Sequence, residues 1–164
     1  CKVAKTDRKV APVMNPISIF IDANILIAAV ASLRGGSYFI FELQAKKKVR
    51  LHTVRHALLE AERNIQKKLK NGALLSYYEL LEKSSLVIHS ISDVSPKEVN
   101  LLNELVPPKD IPILIGALRS KCKFLVTLDK KDFVSNKKLK NLTLPFLIVT
   151  PGQFLQWLYE QENK

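Results

Sequence analysis

Phe20-Ile21-Asp22-Ala23-Asn24-Ile25-Leu26 is the stretch whose reading decides the fold. It closes a nearly all-apolar run that begins at Ile17, and it closes that run on a carboxylate. Strands without polar interruption are those buried on both faces, the condition of strands in parallel sheets. Asp22 and Asn24 then stand where the backbone leaves the core. In open parallel α/β sheets, ligands bind outside the carboxyl ends of the strands. A carboxylate at that point is a candidate metal ligand or catalytic base, provided other groups join it.

Working outward, strand-like and helix-like segments alternate. Val49–Thr53, Leu86–His89, Phe124–Leu128 and Leu144–Val149 join Ile17–Ile21 as strand-like segments, five in all. Helical spacing of apolar residues marks Asn24–Leu33, a segment from Ser37, His56–Lys70, Ala73–Leu81, Asp110–Ser120 and Pro151–Trp157. Gly35-Gly36 breaks the first of these helices, and Asn71-Gly72 stops the third, so the helices on either side of Asn71-Gly72 form an antiparallel pair. Ser95-Pro96-Lys97-Glu98 is a helix start, with a capping Ser, Pro at the first helical position and Glu at the third. Strands alternating with helices specify an α/β fold in three layers, a central five-stranded parallel sheet between helices. There are no internal repeats.

A chain of 164 residues is one domain, long enough to bury a core without disulfide or metal staples. The expectation is a single domain over residues 16–160, preceded by a flexible basic arm over residues 1–15. No apolar run reaches the length of a membrane span and no signal peptide is present, so the expected place is the cytoplasm. Cys1 and Cys122 form no disulfide framework and sit at no metal-ligand spacing. His52, His56 and His89 likewise sit at no metal spacing and read as core or surface residues. The charge is more informative. With 26 Lys and Arg against 15 Asp and Glu, the net charge is +11, which attracts polyanions such as nucleic acid.

Four acids recur in like positions. Asp22 and Asp129 end strands, Asp110 starts a helix, and Glu60 lies early in the long helix, two residues before Glu62. Strand ends and helix starts share one edge of a parallel sheet, so Asp22, Asp110 and Asp129 can converge there. Each also has a plainer reading: Asp110 as a helix cap, Asp22 as a turn residue, Asp129 and Asp132 as closers of a turn, Glu60 and Glu62 as partners of nearby cations. Carboxylates gathered together stay ionised only if a cation compensates them. Hard cations such as Mg²⁺ take oxygen ligands, and they suit hydrolysis of phosphodiesters.

The motifs in order resemble those of the PIN-domain family of metal-dependent ribonucleases. Phe20 to Leu26 resembles the first motif, Leu59-Glu60-Ala61-Glu62-Arg63-Asn64-Ile65 the second, Lys109-Asp110-Ile111-Pro112 to Leu118 the third, and Phe124 to Phe133 the fourth. Ile148 to Leu155 resembles the closing strand and helix, so the likeness spans about Pro16 to Leu158. It implies that Asp22, Glu60, Asp110 and Asp129 are catalytic acids holding Mg²⁺ or Mn²⁺. It makes Asn24 and Thr127 groups that orient ligands, and Asp132 an auxiliary acid. It implies RNA as substrate, and VapC-type toxins of type II toxin–antitoxin pairs, often homodimers neutralised by a small antitoxin, as relatives in kind. One departure is Lys109, which stands beside the third acid and can pair with a carboxylate or contact phosphate.

Lys130, Lys131, Lys137 and Lys138 follow the fourth acidic motif and are the cations best placed to guide an RNA backbone. Lys46–Lys48 and Lys67-Lys68 read as solvated faces. Tyr77, Tyr78 and Trp157 can stack on bases, or else belong to the core or a dimer interface. The alternative to an endoribonuclease is a related module that binds RNA or protein with little or no cleavage. A phosphatase-like Asp-x-Asp pair is excluded on strand one, because Asn24 takes the second position.

Overall fold

The computed structural model describes residues 15–164. The basic arm, save Asn15, therefore lies outside the described residues, as does Cys1. The chain forms a sheet of five parallel strands with helices on both faces. The strands are β1 (Ile17–Ile21), β2 (Val49–Val54), β3 (Val87–His89), β4 (Phe124–Val126) and β5 (Leu147–Val149), in spatial order β3-β2-β1-β4-β5. β1 is central, and its Ile19, Phe20 and Ile21 are fully buried, as expected of a strand covered on both faces. The order reverses between β1 and β4, where Ile21 pairs with Val126. A crevice opens at such a reversal, because the connections from the two strands leave in opposite directions.

The helices are α1 (Ala23–Ala31), α2 (Gly36–Ala45), α3 (Arg55–Lys68), α4 (Ala73–Lys83), α5 (Pro96–Asn103), α6 (Ile111–Ser120), α7 (Lys137–Lys140) and α8 (Pro151–Glu162). Helix α6 is nearly apolar throughout and lies across β1, β2 and β3. It can lie so close only because position 116 is glycine. A Cβ there would stand 2.4 Å from Val54 Cγ1 and 2.7 Å from Phe20 Cζ. Helices α1 and α2 pack together, and α2 also meets β2 and α8.

The strand ends differ from the sequence reading by one residue in β2 and β3 and by more in β4 and β5. β4 stops at Val126 and β5 begins only at Leu147. Beyond Val126 the chain curls instead of extending, because Thr127 and Leu128 take partners in the crevice. Leu128 N–H donates to the Asn24 side chain at 3.0 Å. Residues 130–134 then form one wide turn, with Ser135 N–H donating to Lys130 C=O at 2.7 Å. Tyr77 and Trp157 pack into the protein, whereas Tyr78 is exposed. Tyr77 is buried with its hydroxyl donating to Leu58 C=O at 2.8 Å, Tyr78 donates to Glu62, and Trp157 packs edge-on against Phe124. Cys122 is a buried free thiol. Among the described residues no single helix is long and apolar enough to cross a membrane.

Candidate functional site

The crevice between β1 and β4 is organised by the Thr127 hydroxyl. Register pairs Ile21 with Val126, which sets Asp22 beside Thr127. Thr127 Oγ1 donates to Asp22 Oδ2 at 2.9 Å. It accepts from Asn24 Nδ2 at 3.1 Å and from the Asp129 N–H at 3.1 Å. One buried hydroxyl thus ties together the ends of both strands. Asp22 is engaged at both oxygens. Oδ1 accepts the Ala23 N–H at 2.6 Å, so Asp22 caps α1, and Oδ2 also accepts from Asn24 at 3.2 Å.

Asp110 is placed differently. A short turn, Pro108–Asp110, delivers it to the start of α6, and Pro112 falls in the first turn, where its missing N–H costs no hydrogen bond. Asp110 sits at the capping position but makes no side-chain capping bond. Its Oδ2 is buried without a hydrogen-bond partner. Unpartnered buried acceptors are uncommon and call for an explanation, of which a bound ion is one. Asp129 precedes the wide turn after β4 and Asp132 lies within it, and Asp129 Oδ1 accepts the Asp132 N–H at 2.9 Å. Wide turns of this kind recur at functional sites. Asn136 pins the far side of the turn by donating to the Asp132 and Leu105 carbonyls, both at 2.8 Å.

Asp110, Asp129 and Asp132 each bring one carboxylate oxygen within 4.8 Å of the other two. Asp22 and Glu60 stand beside this trio rather than in it. Glu60 Oε2 lies 3.8 Å from His56 Nε2, one turn back on α3. Its charge still reaches Asp22. Glu62, the other candidate, faces α4 and accepts from Tyr78, so Glu60 is the one on the cluster side. Lys109 Nζ is 4.0 Å from Asp132 Oδ2, a loose pairing at the rim.

The electrostatics follow from burial. The Asp110 carboxyl is pushed up to about 7, chiefly by burial, with Lys109 opposing and Asp22, Asp129 and Asp132 adding to the rise. Asp22 is pushed up to about 6, again chiefly by burial. The Thr127 hydroxyl and the Ala23 N–H oppose the shift, and the charges of Glu60 and Asp129 add to it. Near neutrality the cluster therefore carries protons that a cation would displace. The donor set is all carboxylate oxygen, which fits a hard divalent cation.

The four predicted lysines lie in the wide turn or in α7, which follows it. Lys130 and Lys131 are in the wide turn, and Lys138 Nζ donates to Glu104 C=O at 2.8 Å, so it is partly occupied. Beside the cluster runs a cleft of about 300 Å³, lined by His56, Glu60, Arg63, Asn64, Lys67 and Lys109. The sequence reading missed this cleft, having taken Lys67 as part of a solvated face. The available signal was the spacing of 56, 60, 63, 64 and 67, which places them on one side of a helix.

A family model for the PIN domain matches residues 18–131. The chain belongs to the PIN-domain family. The matched span takes in Asp22, Glu60, Asp110 and Asp129 and stops one residue short of Asp132. PIN domains are generally nucleases and typically use a divalent metal. No curated protein matches the sequence. Among solved structures, a chain in the crystal structure of VapBC2 from Rickettsia felis, bound to a DNA fragment from its promoter, has the same fold. It is 17% identical, with a TM-score of 0.57, over 82% of this chain and 98% of that one. For this PIN domain the likeness establishes the three-layer fold.

Proposed function

We propose that this PIN domain is a Mg²⁺- or Mn²⁺-dependent endoribonuclease that hydrolyses phosphodiester bonds of RNA. One observation carries the reading: three carboxylates converge at a strand-order reversal, and one of them buries an oxygen with no hydrogen-bond partner. Asp110, Asp129 and Asp132 would hold the ion, with Asp22 and Glu60 at its edge. A bound divalent ion supplies neutralisation of charge on a phosphoryl oxygen and makes water a better nucleophile. The chain's own groups do the rest. Thr127 and Asn24 hold Asp22 and the start of the Asp129 turn in place. Asp22, at about 6, can take up or release a proton near neutral pH.

The basic surface, with Lys130 and Lys131 in the turn next to Asp129, supports a polyanionic substrate. We extend the fold likeness to VapBC2 into a further part of the reading: a cytoplasmic toxin, homodimeric and neutralised by a small antitoxin. Purified protein is expected to cut single-stranded RNA only when Mg²⁺ or Mn²⁺ is added. RNA cleavage in EDTA would overturn the assignment, and tight RNA binding with no cleavage under any divalent ion would establish the binding module in its place. Light scattering on the eluting protein tests the dimer. Co-purification with the product of an adjacent small reading frame tests the antitoxin.

A further inference from the structure

The cleft beside the carboxylates is built from two elements. Five of its residues, His56, Glu60, Arg63, Asn64 and Lys67, fall within about 100° of arc on α3. The sixth, Lys109, stands across the cleft on the turn that carries Asp110. Lys109 connects cleft and cluster, since it lines the first and reaches Asp132 in the second. The lining holds three permanent cations, Arg63, Lys67 and Lys109, against one carboxylate, Glu60. That carboxylate is turned toward His56. Arg63 and Lys67 are in no ion pair among the described residues, although like charges four apart on a helix repel one another. Cations facing one another across a concave surface focus a positive potential within it.

We propose that this cleft binds the phosphodiester backbone of single-stranded RNA on one side of the bond to be cut. Arg63 and Lys67 hold a phosphate in the cleft, and Lys109 carries the chain over the rim toward the carboxylates. Arg63 suits the task because its guanidinium forks onto two phosphate oxygens at once. A free anion would need no such alignment. The cleft opens on the acidic cluster, so an occupant must continue from a cationic lining to a cation-dependent one, as an extended polyphosphodiester does. Lys130 and Lys131 lie beyond Asp129 and take the chain on the other side.

The inference rests on the nuclease reading, and the experiment separates the two. A fluorescent single-stranded RNA is titrated with the full chain in EDTA, where no cutting occurs, at several salt concentrations. In R63A/K67A the dissociation constant is expected to rise about tenfold, and the slope of log affinity against log salt to fall by about 1.4, two phosphate contacts at about 0.7 each for single strands. Thermal stability and Mn²⁺ binding, read by electron paramagnetic resonance, should be unchanged. An unaltered dissociation constant and slope in R63A/K67A would overturn the proposal, and so would absence of RNA binding by the unaltered chain. If R63A/K67A weakens binding but the unaltered chain cuts nothing in Mn²⁺, the cleft stands and the nuclease reading falls. If R63A/K67A cuts RNA with an undiminished kcat/KM, the reverse holds.

Discussion

The β1–β4 crevice and the β2–β3 edge of the sheet both bury titratable side chains, and burial drives them in opposite directions. In the crevice, Asp22 and Asp110 are pushed up to about 6 and about 7. At the edge, His52 and His89 stack with ring centroids 5.1 Å apart, and His52 Nδ1 meets His89 Nε2 at 2.8 Å. Burial first, then the charges of His89 and Arg50, push His52 down to about 4. Two neutral imidazoles fit that place at pH 7 because one nitrogen donates and the other accepts. The acids have no such resolution among themselves. Their oxygens face one another with too few donors, and Asp110 Oδ2 has none. Each place keeps one buried atom without a partner, His52 Nε2 at the edge and Asp110 Oδ2 in the crevice, but the edge is uncharged at neutral pH, whereas the crevice is poised for a positive charge from outside.

That contrast can be broken most severely at Asp110. Asp110→Asn keeps the shape but removes the charge, and cleavage of RNA is expected to fall by about 100-fold or more, measured as kcat/KM with saturating Mn²⁺. A variant that retained full activity would put the ion elsewhere. Gly116→Ala strikes the packing common to both regions, since α6 spans β1, β2 and β3. Overpacking of this kind costs about 1–3 kcal/mol, so Tm should fall by roughly 3–10 °C in a thermal melt.

Smaller effects test the signs. An unfolded Asp110 ionises near 3.8 and the folded one near 7, so the unfolded chain releases its proton first. Stability from this group is then present below about 4 and is lost as pH rises through 7. In EDTA, Asp110→Asn should accordingly raise Tm by a few degrees at pH 8 and leave it unchanged at pH 4. Mn²⁺ should stabilise the unaltered chain at pH 8 and have little effect on that variant. His52 has the opposite sign. Its folded value, about 4, lies below the unfolded 6.5, so its contribution is present above 6.5 and is lost as pH falls toward 4. His52→Gln should flatten that acid limb of a Tm-against-pH curve and do little at pH 7.5, the smallest of these effects.

The two regions also differ in how far the sequence disclosed them. Asp22, Asp110 and Asp129 could be aligned because each marks a change of hydrophobic period, and period is local. Asp132 ranked lower, as an auxiliary acid, because the wide turn that brings it to Asp110 has no periodic signature. Glu60 and Glu62 are told apart in the fold by Tyr78, sixteen residues beyond Glu62 on α4, which donates to Glu62 and turns it away from the cluster side. The His52–His89 pair was invisible, since it depends on the register that sets His52 beside Val87. Lys67 read as part of an ordinary solvated face and Arg63 only as part of the second motif, because Lys109, which lines the same cleft, lies far along the chain.

The sequence by itself determined the class of fold, the order of strands and helices, the acids at one sheet edge and the basic excess. Each of those follows from hydrophobic period, turn chemistry or net charge, properties of neighbouring residues. Only the tertiary structure decided which carboxylates meet, which one is left without a donor, and which cations share a cleft. Those depend on strand order, register and the close approach of α6 at Gly116, and such distances are set by packing between segments far apart in the chain.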